Sequence, residues 1–109
     1  MGLPDVPSEY VIARMGDKFV GALETDEQER QRYSVLAHFL EENGLTTHGL
    51  TDASGMVPLD FELRRGDLTG EGFALIRAAL YKWVAAVDRT KNPNDVKILT
   101  KALTRLRTT

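Results

Sequence analysis

Apolar positions along this chain repeat with two different steps, one that of a helix and one that of a strand. The longest helical run is Phe73, Ile76, Leu80, Trp83, Val84 and Val87, which lie along one side of a 3.6-residue turn. It predicts a helix near 70–88. Thr69 is the expected N-cap, because its hydroxyl can accept a hydrogen bond from a first-turn amide that has no partner inside the helix. Leu68 and Phe73 fit a hydrophobic staple across that start, and Glu71 suits the positive end of the helix dipole.

A second helix is predicted near 26–43. Thr25 and Gln28 match a capping box, Asp26, Glu27 and Glu29 load the first turn with negative charge, and Gly44 stands where a left-handed residue ends a helix. Its apolar stripe of Tyr33, Leu36, Phe39 and Leu40 fills only the second half. The polar first half is expected to project into solvent.

A third run, Val96, Leu99, Leu103 and Leu106, predicts a last helix near 93–107. Asn92 or Asn94 would cap it, with Pro93 in the first turn if Asn92 is the cap. So short a connection sets it antiparallel to the 70–88 helix. Thr108 and Thr109 should fray.

Two stretches are less regular. Residues 8–24 fit a helix capped by Ser8, with Val11, Met15, Phe19, Ala22 and Leu23 on one side, or a hairpin turning at Gly16 and Asp17. The hairpin sets Met15 opposite Lys18 and Ile12 opposite Gly21, and neither face is then cleanly apolar. The helix is the better reading, although Gly16 and Gly21 each weaken it by about 1 kcal/mol relative to Ala. In 45–66, Val57, Leu59, Phe61 and Leu63 alternate with Pro58, Asp60, Glu62 and Arg64, the step of a strand with one buried face. Pro58 lacks an amide donor and places this strand at an edge. Leu45 to Leu50 is the nearest candidate partner, through a turn at Thr51 to Gly55.

The expected fold is therefore mainly α: a four-helix single domain, with helices near 8–24, 26–43, 70–88 and 93–107 and a short β-hairpin or edge strand between the second and third. Residues 1–7, with Pro4 and Pro7, form a frayed lead-in. A chain of 109 residues suits one domain.

Composition narrows the chemistry. The chain has no Cys, which removes disulfides and thiolate metal sites and is compatible with a reducing, cytoplasmic setting. Its start has neither the basic region nor the apolar run of a signal peptide, and no apolar window is long enough for a membrane span. Net charge is −2 but uneven: residues 1–54 carry four basic and ten acidic side chains, residues 55–109 ten basic and six acidic.

Catalytic sets are not found. His38 and His48, ten apart, lack metal-ligand spacing, although His48 could meet Asp52 locally. Ser8, Ser34 and Ser54 lack a nucleophile-elbow setting. Asp60 and Glu62 share the exposed side of the predicted strand, where charges deter edge pairing. The glycine-rich run from Gly66 to Gly72 opens a helix but matches no phosphate-binding fingerprint, and Asp67 and Glu71 would repel an anion. It reads as a capping turn. No enzyme activity, metal or cofactor is expected.

Binding is the remaining class. Asp26, Glu27 and Glu29 would steer a basic protein partner, as in bacterial inhibitors and immunity-type proteins of this size. Tyr81, off the apolar stripe and beside Lys82 and Arg77, is the best candidate for an interface hot spot, whereas Trp83 belongs to the core. The alternative is nucleic-acid binding through Lys97, Lys101 and Arg105, four apart on the last helix with Arg89, Lys91 and Arg107 nearby, or a small-ligand site. The last helix carries no Asn, Gln or aromatic side chain to read bases, which makes nucleic acid the weaker reading. The expected state is a monomer or small homo-oligomer.

Overall fold

The computed structural model describes residues 7–14, 26–58, 60–90, 92 and 94–108. Strand β1 (Val11–Arg14) is followed by helix α1 (Asp26–Glu42), strand β2 (Glu62–Arg64), a 3-10 turn (Arg65–Asp67), helix α2 (Gly70–Thr90) and helix α3 (Lys97–Thr108). There are thus three helices and a two-stranded antiparallel sheet among the described residues, where four helices and a short hairpin or edge strand were expected.

The helix expected over 8–24 is overturned at its start. Val11 to Arg14 is extended and pairs with Arg64 to Glu62, Ala13 facing Leu63, with an irregularity between Val11 and Ala13. Ser8 caps nothing: its carbonyl accepts the Gly66 amide, and the Tyr10 carbonyl accepts that of Arg65. β-branched Val11 and Ile12 favour the extended form, and pairing lets Ala13 and Leu63 enter the core. The remaining residues of that predicted stripe, Met15, Phe19, Ala22 and Leu23, and the alternative turn at Gly16 and Asp17, lie outside the described residues.

The hairpin between 45–50 and 57–63 does not form either. Burial alternates at the described positions, with Val57, Phe61 and Leu63 inside, while Leu59 lies outside the described residues. However, the Val57 amide donates to Ser34 Oγ at 3.0 Å and its carbonyl accepts Arg30 Nε at 2.7 Å. Two side chains of α1 thereby supply what a strand partner would have supplied, and β2 starts only at Glu62. The 45–47 segment instead runs against 67–69, bridged at Thr46 and Leu68, with Thr47 N to Asp67 O at 2.9 Å.

The helix ends follow their local signals more closely. Thr69 Oγ1 accepts the Gly72 amide at 3.0 Å, the N-cap of α2. Gly44, at φ +70°, ends α1: its amide bonds Glu41 O and the Leu45 amide bonds Leu40 O, the paired bonds of a Schellman ending. The capping role expected of Thr25 falls outside the described residues. α3 starts later than expected because its cap is Asp95, whose Oδ1 accepts the Lys97 amide, while Asn92 Oδ1 takes up the Asn94 amide in the turn before it. It is helical through Thr108.

α2 is the centre of the core. Leu75, Ile76, Ala79, Leu80, Trp83, Val84 and Val87 are buried along it, together with Leu36 and Leu40 of α1 and Leu99 and Leu103 of α3. Trp83 Nε1 donates to Asp95 O at 3.0 Å near one end of α3, and Arg107 at the other end grips Glu71 with two bonds of 3.0 and 3.2 Å. These contacts make α2 and α3 antiparallel. The first half of α1 is not a solvent projection: Glu29 and Arg32 are buried, 4% and 8% exposed.

Candidate functional site

The inner side of α2 is filled by the core, so its outer side can be followed residue by residue. Arg77, Ala78, Tyr81, Lys82 and Ala85 face solvent, and Tyr81 is 68% exposed. Between Gly72 and Val87 the helix carries no carboxylate. Exposed alanines and an exposed tyrosine beside arginine make this side flat, partly apolar and positive.

Phe73 lies at one end of it. Its ring is half-buried, with the Arg65 guanidinium 4.5 Å and the Arg77 guanidinium 5.7 Å from the ring centre. Both distances are in the range of cation–π attraction. Arg65 is positioned by the 3-10 turn, its backbone amide bonded to Tyr10 O and its side chain donating to Leu68 O at 3.0 Å. Arg77 and Tyr81 follow Phe73 at steps of four, along one line of the helix. Tyr10, 55% exposed, is tied to Arg65 through its backbone carbonyl.

The nearby carboxylates have other engagements. Asp67 accepts from His48 at 2.6 Å and from the Arg64 amide at 2.8 Å, Glu62 pairs with Arg64, and Glu71 with Arg107. Among the described residues, no carboxylate lies within ion-pair distance of Arg65 or Arg77.

The residues expected from the sequence are dispersed. Tyr81 stands out as anticipated. Glu27 is exposed, but Glu29 faces inward on the line that continues through Tyr33, Leu36 and Leu40, and nothing is described of the Asp26 side chain. These three acids therefore do not make one acidic surface. Lys97, Lys101 and Arg105 are exposed on α3, while the Thr100 and Thr104 hydroxyls donate back to carbonyls of their own helix. The contribution of Phe73 and Arg65 was missed, because Phe73 also fits the core stripe. The spacing of Phe73, Arg77 and Tyr81 and the acid-free run around them were the available signals.

An open groove of about 370 Å³ lies between α1, the Gly55–Met56 turn and the start of α3. Val35, Phe39, Met56 and Val96 form its apolar walls, and His38 and Glu42, 3.3 Å apart, stand at its rim. Among the described residues, no group of three or more His, Asp or Glu side chains is arranged to hold a metal ion, and no helix is long and apolar enough to cross a membrane.

His48 meets Asp67 rather than Asp52, whose carboxylate is occupied by the Ser54 and Met56 amides of its own turn. Both imidazole nitrogens of His48 face acceptors: Nε2 faces Asp67 Oδ1 at 2.6 Å and Nδ1 faces Gly49 O at 3.0 Å. Only the doubly protonated ring donates to both. The Asp67 bond, chiefly, raises its pKa above the ordinary 6.5. The folded chain then holds this proton more tightly than the unfolded chain. The stabilisation is complete below pH 6.5 and fades as pH rises through the raised value. NMR titration should show His48 titrating above 6.5, and His48→Ala should destabilise the protein at acid pH more than at alkaline pH. Equal destabilisation at both would contradict the charged pair.

Comparison with protein-family models, with curated proteins and with solved structures returns no match to this chain.

Proposed function

We propose that this chain is a small non-catalytic protein-binding module, of the inhibitor or immunity type, whose contact surface is the outer side of α2 around Tyr81. The observation that carries this reading is a tyrosine 68% exposed on α2, one turn from an arginine and within a run, Gly72 to Val87, that has no carboxylate. Tyrosine and arginine are the side chains most often found as interface anchors, because they combine a large contact area with directed hydrogen bonds. The burial of Glu29 weakens the case for the acidic start of α1 and supports reading the contact surface on α2.

The test is quantitative capture from the native host with the wild-type chain, Tyr81→Ala and Glu27→Lys. A partner held by wild type and by Glu27→Lys, and weakened about tenfold or more by Tyr81→Ala, supports the reading. A partner recovered equally with all three contradicts it. A second reading rests on α3, which exposes Lys97, Lys101 and Arg105 and contains no acid at all. A salt-sensitive shift of random duplex DNA would favour that one, since phosphate contacts release counterions.

A further inference from the structure

We propose that Arg65 and Arg77, held over Phe73, form a seat for a carboxylate-bearing segment of the protein partner, with Tyr81 as the anchor beside it. This rests on the outer side of α2 being the contact surface, and it reverses the sign of the partner expected from the acidic start of α1.

Two guanidinium groups share one ring, at 4.5 and 5.7 Å from its centre. Like charges held near one another oppose each other, and a nearby carboxylate would relieve that cost. Three acids near the start of α2 are engaged by other groups: Asp67 by His48, Glu71 by Arg107 and Glu62 by Arg64. Among the described residues neither Arg65 nor Arg77 has an ion-pair partner, which leaves both for an anion from outside. A guanidinium over a ring still offers N–H donors to a planar acceptor: Arg77 can give a carboxylate two parallel bonds, and Arg65, whose Nη1 donates to Leu68 O, adds its remaining donors. Ring contact also restricts both side chains before binding, so less rotamer freedom is lost when the acceptor arrives.

A protein carboxylate fits better than a nucleic-acid strand. The seat has two cations, enough for one or two carboxylates but not for the run of phosphate contacts that holds a nucleic-acid strand. One or two carboxylates projecting from a partner's helix or loop would meet only the seat. Tyr81, one turn beyond Arg77, would cover apolar surface next to that contact.

The probe is tetraglutamate peptide, titrated into the ¹⁵N-labelled full chain while the arginine Nε–Hε signals are followed, with tetraglutamine and an oligothymidylate as comparisons. The expected result is saturable movement of the Arg65 and Arg77 signals with tetraglutamate, reduced by added salt and absent with tetraglutamine. Arg77→Gln should weaken it severalfold, Arg77→Lys less, and Tyr81→Ala should leave it in place. Tetraglutamate moving the Arg105 signal as much as those of Arg65 and Arg77, or leaving Arg65 and Arg77 unmoved, overturns the seat. So does a stronger effect of oligothymidylate at the two arginines. If capture finds a Tyr81-dependent partner while tetraglutamate leaves the arginines unmoved, the seat fails and the binding module stands. If the seat binds tetraglutamate and no Tyr81-dependent partner exists, the module reading fails instead.

Discussion

Gly72→Ala should destabilise the protein by about 3 kcal/mol or more, the upper range for forcing atoms into a packed site. A Cβ at Gly72 would overlap the carbonyl oxygen of Leu45 and come within 3.1 Å of its Cβ. Neither neighbour can retreat easily. The Leu45 carbonyl accepts the Thr69 amide at 2.9 Å and its hydroxyl at 3.3 Å, and the Leu45 side chain is fully buried. An added methyl group must therefore part the first turn of α2 from the chain leaving α1, loosening the Thr69 cap with it. In an open helix the same change would stabilise by about 1 kcal/mol, because alanine loses less backbone freedom than glycine. Gly70→Ala is the control: nothing lies within 4 Å of a Cβ there, and stability should not fall. Denaturant unfolding of the two variants gives opposite or clearly separated shifts. A Gly72→Ala protein as stable as wild type would mean that the 45–47 segment does not lie against α2.

Trp83→Ala should cost about 3 to 5 kcal/mol, the range for truncating a buried aromatic side chain and leaving a cavity. Trp83 is 1% exposed in the middle of α2. Its indole also holds the entry to α3, through the bond from Nε1 to Asp95 O, and Asp95 in turn caps that helix at the Lys97 amide. Trp83→Phe separates the two contributions. It retains most of the apolar area and loses the bond, so it should cost less than half as much as alanine. A loss of this size is a large part of the roughly 5 to 15 kcal/mol that holds a domain together. Circular dichroism during unfolding checks both variants.

The elements legible in the sequence were those specified within a few residues. Thr69 caps the next turn, Gly44 ends the one before it, and the stripe from Phe73 to Val87 needs only its own spacing to show which side is buried. The misread elements depend on partners far along the chain. Val11 to Arg14 pairs with residues some fifty positions away, and the local glycines and apolar spacing contain no trace of them. Around Val57 the alternation correctly indicated which side chains enter the core. It could not reveal that Arg30 and Ser34 would satisfy the backbone in place of a strand.

The same division applies to the candidate site. Tyr81 was legible because it falls off the stripe of its own helix. Glu29 was misplaced because charge in a first turn suggests solvent. Its position four before Tyr33 and seven before Leu36 sets it on the buried line, and that periodicity outweighed its polarity. Arg65 reaches Phe73 from a separate turn, and no pattern within α2 could have brought the two together. His48 was matched to the nearest acid in sequence, whereas the strand-like contact of 45–47 with 67–69 delivers it to Asp67.

The inner side of α2 carries the core, and its exposed outer side is the surface proposed for a partner. Because Trp83 is the only tryptophan, its fluorescence reports on the core alone. Unfolding followed by that signal, for the wild-type chain and for Tyr81→Ala, tests the division directly. The two curves should coincide within about 0.5 kcal/mol, as is usual for substitutions at highly exposed positions. A Tyr81→Ala curve shifted by several kcal/mol, or a wild-type Trp83 emission already typical of water before unfolding, would show that the two sides are not what this structure makes them.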